Sequence, residues 1–202
     1  VKTSDGKMWK YHAPKSGGAN ESGTHGGVYK NAHSGEKCLV KKENNVAKNI
    51  AEFLGSAIFQ AVHLESSARV ELVNPKNSRL PNEDGQDVYV ASIFIKNYKC
   101  DLFKDILGDK APDERPKLLG MVFKKPIEKA FRDKGYQDFE KVAVTSLLIG
   151  DFDIHTGNIG VVVEGAAKKL VRIDFAAAFE KLESEVHPNS DSRHLPGMGP
   201  TN

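Results

Sequence analysis

The sequence predicts an α+β fold of two lobes, residues 1–96 and 97–202. Three observations support this prediction. Short apolar strands surround one amphipathic helix in the first half, and helical periodicity dominates from residue 101 to residue 148. The chain has 202 residues, 39% of them hydrophobic and 28% charged, which suits one globular unit of one or two lobes.

The chain begins with a segment, residues 1–27, that is rich in Gly, Ser, His and Asn. It ends with Gly23, Gly26 and Gly27, just before an apolar strand. A glycine-rich loop between two strands lets backbone N–H groups approach phosphates closely, so these glycines are candidate nucleotide-binding residues. A flexible N-terminal tail explains the composition nearly as well. The Walker pattern is absent, which argues against a P-loop fold.

A β-hairpin is predicted next, with strands at 28–30 and 37–42 around a turn at Ser34-Gly35. Its second strand ends in Lys41 and Lys42. Successive side chains of a strand point to opposite faces, so only one of these lysines can face an interior cleft. An exposed strand end remains the alternative for either lysine.

Residues 44–62 carry apolar side chains at helical spacing, and Asn44 or Asn45 is a suitable N-cap. Glu52 is the only acid in the interior of this predicted helix. It either reaches a buried partner or lies on the surface beside Lys48, four residues earlier.

Two further strands are predicted at 67–73 and 87–95, separated by a turn-rich segment. Residues 96–99 then form a predicted linker between the lobes. Beyond it, helical patterns follow at 101–107, 117–134 and 138–148, interrupted at 111–116 and at Pro126.

Polar residues are concentrated after an apolar run, Val142 to Ile149, which resembles the end of a buried helix. Four of them occur within eight residues: Asp151, Asp153, His155 and Asn158. Polar groups next to a core segment cost free energy unless they are paired or used. Two apolar strands, 159–163 and 170–173, follow and end at Asp174, so the predicted order is helix, polar loop, hairpin and acid.

The loop from Asp153 to Asn158 resembles the D-x-H-x-x-N loop of atypical kinases: the phosphoinositide-kinase-like proteins, the HipA-like kinases and several kinase-like bacterial effectors. Asp174-Phe175-Ala176 resembles the D-F-G motif, with Ala176 in place of Gly. The resemblance implies a two-lobed protein-kinase-like fold with a short or truncated second lobe. It also implies that the protein transfers phosphoryl groups from ATP with Mg²⁺ or Mn²⁺.

The resemblance also implies a role for each matching residue. Asp153 orients the acceptor hydroxyl, and Asn158 and Asp174 bind the metal ions. The strand ending in Leu39-Val40-Lys41 is similar to the V-A-I-K strand, which favours Lys41 as the phosphate-contacting lysine, held by Glu52. The linker at 96–99 takes the place of the hinge that binds adenine.

Other interpretations of the loop are possible. Asp and Asn also cap helices and make turns, so a purely structural loop is one alternative. An EF-hand is excluded, because Thr156 occupies the position where glycine is required. His155 as a zinc ligand lacks a second ligand at suitable spacing, so bracing the loop or contacting the transferred phosphate is favoured. Asp151 is interpreted as an acid that orients the loop.

Composition excludes several classes of protein. The net charge of +2 argues against a general nucleic-acid binder, although lysine pairs could gather around a polyanion. These pairs are Lys41-Lys42, Lys124-Lys125 and Lys168-Lys169.

Two cysteines are too few for a disulfide framework and indicate a reducing, cytosolic compartment. No membrane-spanning run or signal peptide is visible, and the initial Val1 indicates a fragment or a trimmed chain.

Three functions follow as hypotheses: a kinase acting on protein Ser or Thr, a phosphoinositide kinase, and a pseudokinase that binds nucleotide. Retention of all the candidate residues argues against the third. Glu180, Glu183 and Glu185 make the segment after Asp174 acidic, whereas lipid kinases place basic residues there, so a protein acceptor is favoured. The small size and the loop type resemble a kinase-like bacterial effector, which would be secreted into a host cell.

Overall fold

The first half of the chain folds around an antiparallel six-stranded sheet in this computed structural model. The structure describes residues 1–14, 26–43, 45–76, 80, 87–108 and 133–179. The strand order in the sheet is β1-β5-β6-β4-β3-β2. Its strands are β1 (Lys2–Thr3), β2 (Trp9–Ala13), β3 (Gly27–Asn31), β4 (Lys37–Lys41), β5 (Val70–Asn74) and β6 (Tyr89–Ile93).

Residues 1–14 are part of this sheet, so the tail interpretation is wrong for them. Trp9 is buried, its Nε1 donates to Thr3 Oγ1 at 3.0 Å, and β2 pairs with β3. The Gly-rich segment therefore connects two paired strands, as a phosphate-covering loop requires. Residues 15–25, including the candidate Gly23, lie outside the described residues.

The predicted first helix is present as α1 (Val46–Val62), and Asn45 caps it by accepting from the Ala47 N–H at 2.8 Å. Its polarity is unusual for a helix packed on a sheet. Its buried side chains include Asn49, Glu52 and Ser56 beside the apolar Phe59, whereas several apolar residues face outward. The outward-facing apolar residues include Val46, Ile50 and Leu54. Glu52 therefore lies inside the protein, and its alternative placement on the surface beside Lys48 is wrong.

A second, four-stranded sheet has the order β7-β9-β10-β8. Its strands are β7 (Tyr98–Asp101), β8 (Tyr136–Gln137), β9 (Ile159–Glu164) and β10 (Ala167–Arg172). The two sheets divide at residues 94–97. Because β6 ends at Ile93 and β7 starts at Tyr98, the connection lies two residues earlier than the linker predicted at 96–99.

Two helices belong to this half among the described residues: α2 (Leu102–Leu107) and α3 (Phe139–Leu148). The run 142–149 ends a helix, as predicted, but this helix is buried on one face only. Val142 and Ile149 are buried, but Val144, Leu147 and Leu148 are exposed, because only one face of α3 packs inward. Most of the helical pattern predicted at 117–134, including Lys124-Lys125, and all residues after 179 lie outside the described part. The α+β class is confirmed.

The two halves are joined at the end of β10. The Arg172 N–H donates to the Ser66 carbonyl and the Ala68 N–H donates to the Arg172 carbonyl, each at 2.9 Å. A shared apolar cluster lies beside this junction and includes Phe59 of α1 and Phe175. The two halves are therefore held together here by backbone hydrogen bonds and by packing.

A buried carboxylate, that of Asp105 in α2, hydrogen-bonds to three strands of the second sheet and stabilises it. It accepts from Lys99 Nζ at 2.6 Å, from Lys168 Nζ at 2.9 Å and from the Tyr136 hydroxyl. Burial raises the pKa of Asp105, but the hydrogen bonds from these donors lower it by more. The pKa therefore lies below its ordinary value. Lys168 of the predicted pair Lys168-Lys169 is thus held by an acid.

Cys38 and Cys100 are free thiols, as the cysteine count indicated. Among the described helices, none combines the length and the apolar character that a bilayer-spanning segment needs.

Candidate active site

The strand ending in Lys41 and Lys42 sends these lysines to opposite sides of the sheet. The Lys41 side chain is only 8% exposed and lies beside α1. Lys42 forms an ion pair with Asp87 at 2.9 Å and lies over the Tyr89 ring. The alternation of the strand therefore brings Lys41, and not Lys42, to the other candidate residues.

Lys41 Nζ lies 3.0 Å from Glu52 Oε1. The approach does not meet hydrogen-bond geometry, and neither Glu52 oxygen accepts a hydrogen bond within the described part of the chain, so the contact is an ion pair. Burial raises the pKa of Glu52 to about 7, although Lys41 lowers it. Burial lowers the pKa of Lys41, but Glu52 and Asp174 outweigh it and raise this pKa above the ordinary value.

Asp174 lies at the end of β10 and faces the same lysine. Its Oδ1 is 3.5 Å from Lys41 Nζ and accepts from the Ala176 N–H at 3.2 Å. Burial raises the pKa of Asp174, but Lys41, the Ala176 N–H and Arg172 lower it below its ordinary value. The carboxylate is therefore ionised at neutral pH and available to a cation.

The polar loop is closed by hydrogen bonds between its two ends. Asn158 Nδ2 donates to both the carbonyl oxygen and the Oδ2 of Asp153, each at 3.1 Å. The Asp153 side chain is 47% exposed, so the carboxylate can reach a substrate outside the protein. The loop thus begins at Asp153 and ends at Asn158. The hairpin of β9 and β10 follows it and leads to Asp174.

His155 braces this loop from within. Its Nδ1 accepts from the Gly157 N–H at 3.0 Å, and its Nε2 lies 3.8 Å from Asp153 Oδ2. Because Nδ1 is an acceptor, the neutral imidazole carries its proton on Nε2, facing Asp153. This geometry agrees with a bracing role and leaves contact with a phosphate as a prediction.

Sequence reasoning missed Arg172, which is 1% exposed at the end of β10. Its Nη2 donates to Asp151 Oδ2 at 2.6 Å, and its Nη1 donates to the Asn158 carbonyl at 3.0 Å. Asp151 is fully buried and accepts from the Asp153 N–H at 3.0 Å, as expected of an acid that orients the loop. A charged residue within the apolar run 170–173, together with an acid in the loop, was the available signal.

Gly26 and Gly27 lie at the start of β3, and Gly27 pairs with Val40, next to Lys41. A Cβ at Gly27 would lie 2.8 Å from the Ala13 carbonyl oxygen, so only glycine permits the close approach of β2 and β3 here. The two strands that flank the Gly-rich loop therefore reach the edge of the site.

Asn158 and Asp174 offer an amide oxygen and a carboxylate, the hard ligands that Mg²⁺ and Mn²⁺ prefer. The Asn158 amide donates to Asp153 through nitrogen, which directs its oxygen away from that contact. No group of three or more His, Cys, Asp or Glu residues able to hold a metal occurs in the described ranges. The residues therefore fit a metal ion that takes its remaining ligands from water and from a nucleotide.

The chain is similar in structure to a solved protein described as the Helicobacter pylori proinflammatory kinase CtkA. The TM-score is 0.55 with 17% sequence identity, and the match covers 89% of this chain and 61% of the other. At this identity the likeness shows the fold alone, which is kinase-like. The chain spans less than two thirds of that kinase. No curated protein matches the sequence.

A family model places the chain more directly. The model of the LepB N-terminal domain matches residues 90–199, which is more than half of the chain and includes the polar loop and Asp174. The chain therefore belongs to the family of LepB N-terminal domains.

Proposed function

We propose that this protein is an ATP-dependent kinase that transfers the γ-phosphoryl group to a hydroxyl, with Mg²⁺ or Mn²⁺ as the metal. The observation that carries the proposal is the convergence of Lys41, Glu52 and Asp174 from three separate elements. Lys41 Nζ lies within 3.5 Å of both carboxylates. Phosphoryl transfer depends mainly on positioning and on charge stabilisation, which such a constellation supplies.

Each residue has a defined task in this proposal. Lys41 contacts the phosphates of ATP while Glu52 holds the ammonium in place. Asn158 and Asp174 bind the metal, which neutralises charge on the phosphates. Asp153 accepts a hydrogen bond from the acceptor hydroxyl and aligns its oxygen with the γ-phosphorus.

The backbone around Gly26 and Gly27 lies at the entrance of the same site. With Gly23 it would cover the phosphates, which the pairing of β2 with β3 supports. His155 Nε2, 3.8 Å from Asp153 Oδ2, helps to keep this carboxylate directed outward.

We further propose a protein Ser or Thr hydroxyl as the acceptor, including hydroxyls of the chain itself. The acidic residues Glu180, Glu183 and Glu185 after Asp174 support this choice, because an anionic head group would be repelled there. The likeness to a bacterial kinase and the family membership support a bacterial effector that acts inside a host cell.

The direct test incubates the protein with γ-labelled ATP, Mg²⁺ or Mn²⁺, a mixed set of proteins, and phosphoinositide vesicles. Label on protein supports the proposal in full, and label on lipid assigns the phosphoinositide alternative. Asp153→Asn serves as the inactive comparison. Glu164→Gln, which alters only an exposed ion pair with Lys169, serves as the matched control.

A third outcome would contradict the enzymatic proposal. If no label is transferred while ATP with metal still raises the melting temperature, the protein is a nucleotide-binding pseudokinase. If ATP does not bind either, the whole proposal fails.

A further inference from the structure

We propose that Arg172 is the positioning residue that holds Asp153, Asn158 and Asp174 in one arrangement. The inference rests on the proposed function, because it concerns the same site. Arg172 is the last residue of β10, two positions before Asp174, and its side chain turns back toward the loop.

One guanidinium, that of Arg172, contacts both ends of the loop. Arg172 Nη2 donates to Asp151 Oδ2 at 2.6 Å, before Asp153, and Nη1 donates to the Asn158 carbonyl at 3.0 Å. Nη2 also lies 3.4 Å from the Asp153 carbonyl oxygen. The planar fork of arginine makes these contacts in fixed directions, which the single ammonium of lysine cannot do.

The partners of Arg172 themselves hold the candidate residues. Asp151 Oδ1 accepts from the Asp153 N–H at 3.0 Å. The Asn158 carbonyl also accepts from the Ile173 N–H at 3.1 Å, directly beside Asp174. Each of the three candidates is therefore one hydrogen bond or one peptide unit away from a group that Arg172 fixes.

Burial makes the arrangement stiff. The side chains of Arg172 and Asp151 are 1% and 0% exposed, so water does not compete for their contact. The guanidinium also lies 5.7 Å from the Phe175 ring, and the Arg172 backbone is bonded to Ser66 and Ala68 of the first lobe. A small displacement of Arg172 would thus move both the loop and the residues of the first sheet's half that are hydrogen-bonded to it.

The test compares Arg172→Lys with Arg69→Lys. Arg69 also forms ion pairs, with Asp5 and Glu71, but its side chain is 40% exposed and lies away from the loop. Lysine keeps the positive charge, so Asp151 is not left unpaired and the variant can fold. The measurements are the melting temperature, amide hydrogen exchange of residues 151–158, and single-turnover phosphoryl transfer at saturating ATP and metal.

We expect Arg172→Lys to speed exchange in 151–158 and to lower the saturated rate by about 10-fold or more, because small misplacements of reacting groups are costly. Arg69→Lys should change neither measurement. Asp151→Asn should act in the same direction, and combining it with Arg172→Lys should give less than the sum of the two effects, because the two side chains are in direct contact and hold the same loop.

An unchanged rate and unchanged exchange in Arg172→Lys would overturn the inference, as would fully additive effects of the two substitutions. A loss of melting temperature without a change in the saturated rate would assign Arg172 to stability alone. If the parent protein transfers no phosphoryl group, the proposed function fails, and hydrogen exchange then decides by itself whether Arg172 holds the loop.

Discussion

Lys41 Nζ lies 3.5 Å from Asp174 Oδ1, which links the end of a strand in the first sheet to the end of a hairpin in the second. The contact pairs an ammonium with a carboxylate where, in the proposed function, both would bind a metal–nucleotide complex. A nucleotide phosphate would take the place of Asp174 beside Lys41, and the metal would take the place of Lys41 beside Asp174. Metal and nucleotide should therefore bind together and not separately.

This exchange of partners gives the first prediction. ATP with Mg²⁺ or Mn²⁺ should raise the melting temperature by mass action, whereas the metal alone should raise it little, since the described residues form no complete metal cage. Asp174→Ala should abolish most of the shift. A thermal-shift titration at millimolar ATP measures this, and an equal shift in parent and Asp174→Ala would remove the basis of the metal assignment.

The second prediction compares the adjacent lysines. Lys41→Ala should lower phosphoryl transfer strongly and should also lower the melting temperature, because the buried Glu52 loses its partner. Lys42→Ala should retain activity, because Lys42 pairs with Asp87 on the other side of the strand. The initial rate and the circular dichroism spectrum of each variant are the measurements. An inactive Lys42→Ala beside an active Lys41→Ala would reverse the assignment.

The third prediction separates chemistry from nucleotide binding. Asp153→Asn keeps the shape of the side chain but removes its charge, so turnover should fall by roughly 10²-fold or more while nucleotide affinity changes little. Asp174→Asn should weaken both, because it removes charge from the proposed metal site. Single-turnover rates and nucleotide affinities of the two variants decide the matter. Loss of nucleotide binding in Asp153→Asn, with its saturated rate intact, would make Asp153 a metal ligand or a structural cap.

The fourth prediction concerns acid stability and Asp105. Because its pKa is lowered in the folded protein, its stabilising contribution is complete above the ordinary value of 3.8 and is lost as the pH falls below it. Asp105→Asn should reduce the free energy of unfolding at pH 7 by about 1–3 kcal/mol, the scale of a hydrogen bond to a charged group. As the pH falls, the free energy of unfolding of Asp105→Asn should also decrease less steeply than that of the parent.

Urea unfolding of parent and Asp105→Asn between pH 7 and pH 3 measures this effect. Glu164→Gln is the control, since the Glu164 carboxylate is 44% exposed and its contact with Lys169 should contribute little. Parallel pH curves for parent and Asp105→Asn would show that this carboxylate does not govern acid unfolding.

Periodicity predicted the parts of the fold whose own pattern is strong. The helix around Glu52 and the hairpin before Asp174 have apolar residues at the spacing of their elements, and the alternation of β4 limited the cleft-facing lysine to one of two. Strand β2 was missed because its side chains are mostly exposed and polar, and only Trp9 anchors it to the core. Its strand character depends on pairing with β3, which is not a local property.

The candidate site shows a similar limit. The spacing of Asp153, Asn158 and Asp174 was visible, but Arg172 was not, because a charged residue in a strand is usually at the surface. Its burial depends on Asp151, which lies on another element and forms a 2.6 Å contact with it. The exposure of Val144 and Leu148 could not be predicted either, since a helical pattern does not identify which face is covered.

The absence of a side chain at Gly55 has a consequence for the design of small-molecule ligands. A Cβ at this position would lie 3.1 Å from the Cβ atoms of both Phe175 and Ala178, so α1 rests directly on the segment that follows Asp174. The Phe59 ring closes the same contact, with its centre 5.1 Å from that of Phe175. A small molecule that extends behind Phe175 would have to push the helix outward and separate Glu52 from Lys41. Compounds shaped for the space in front of Asp174 would avoid that cost.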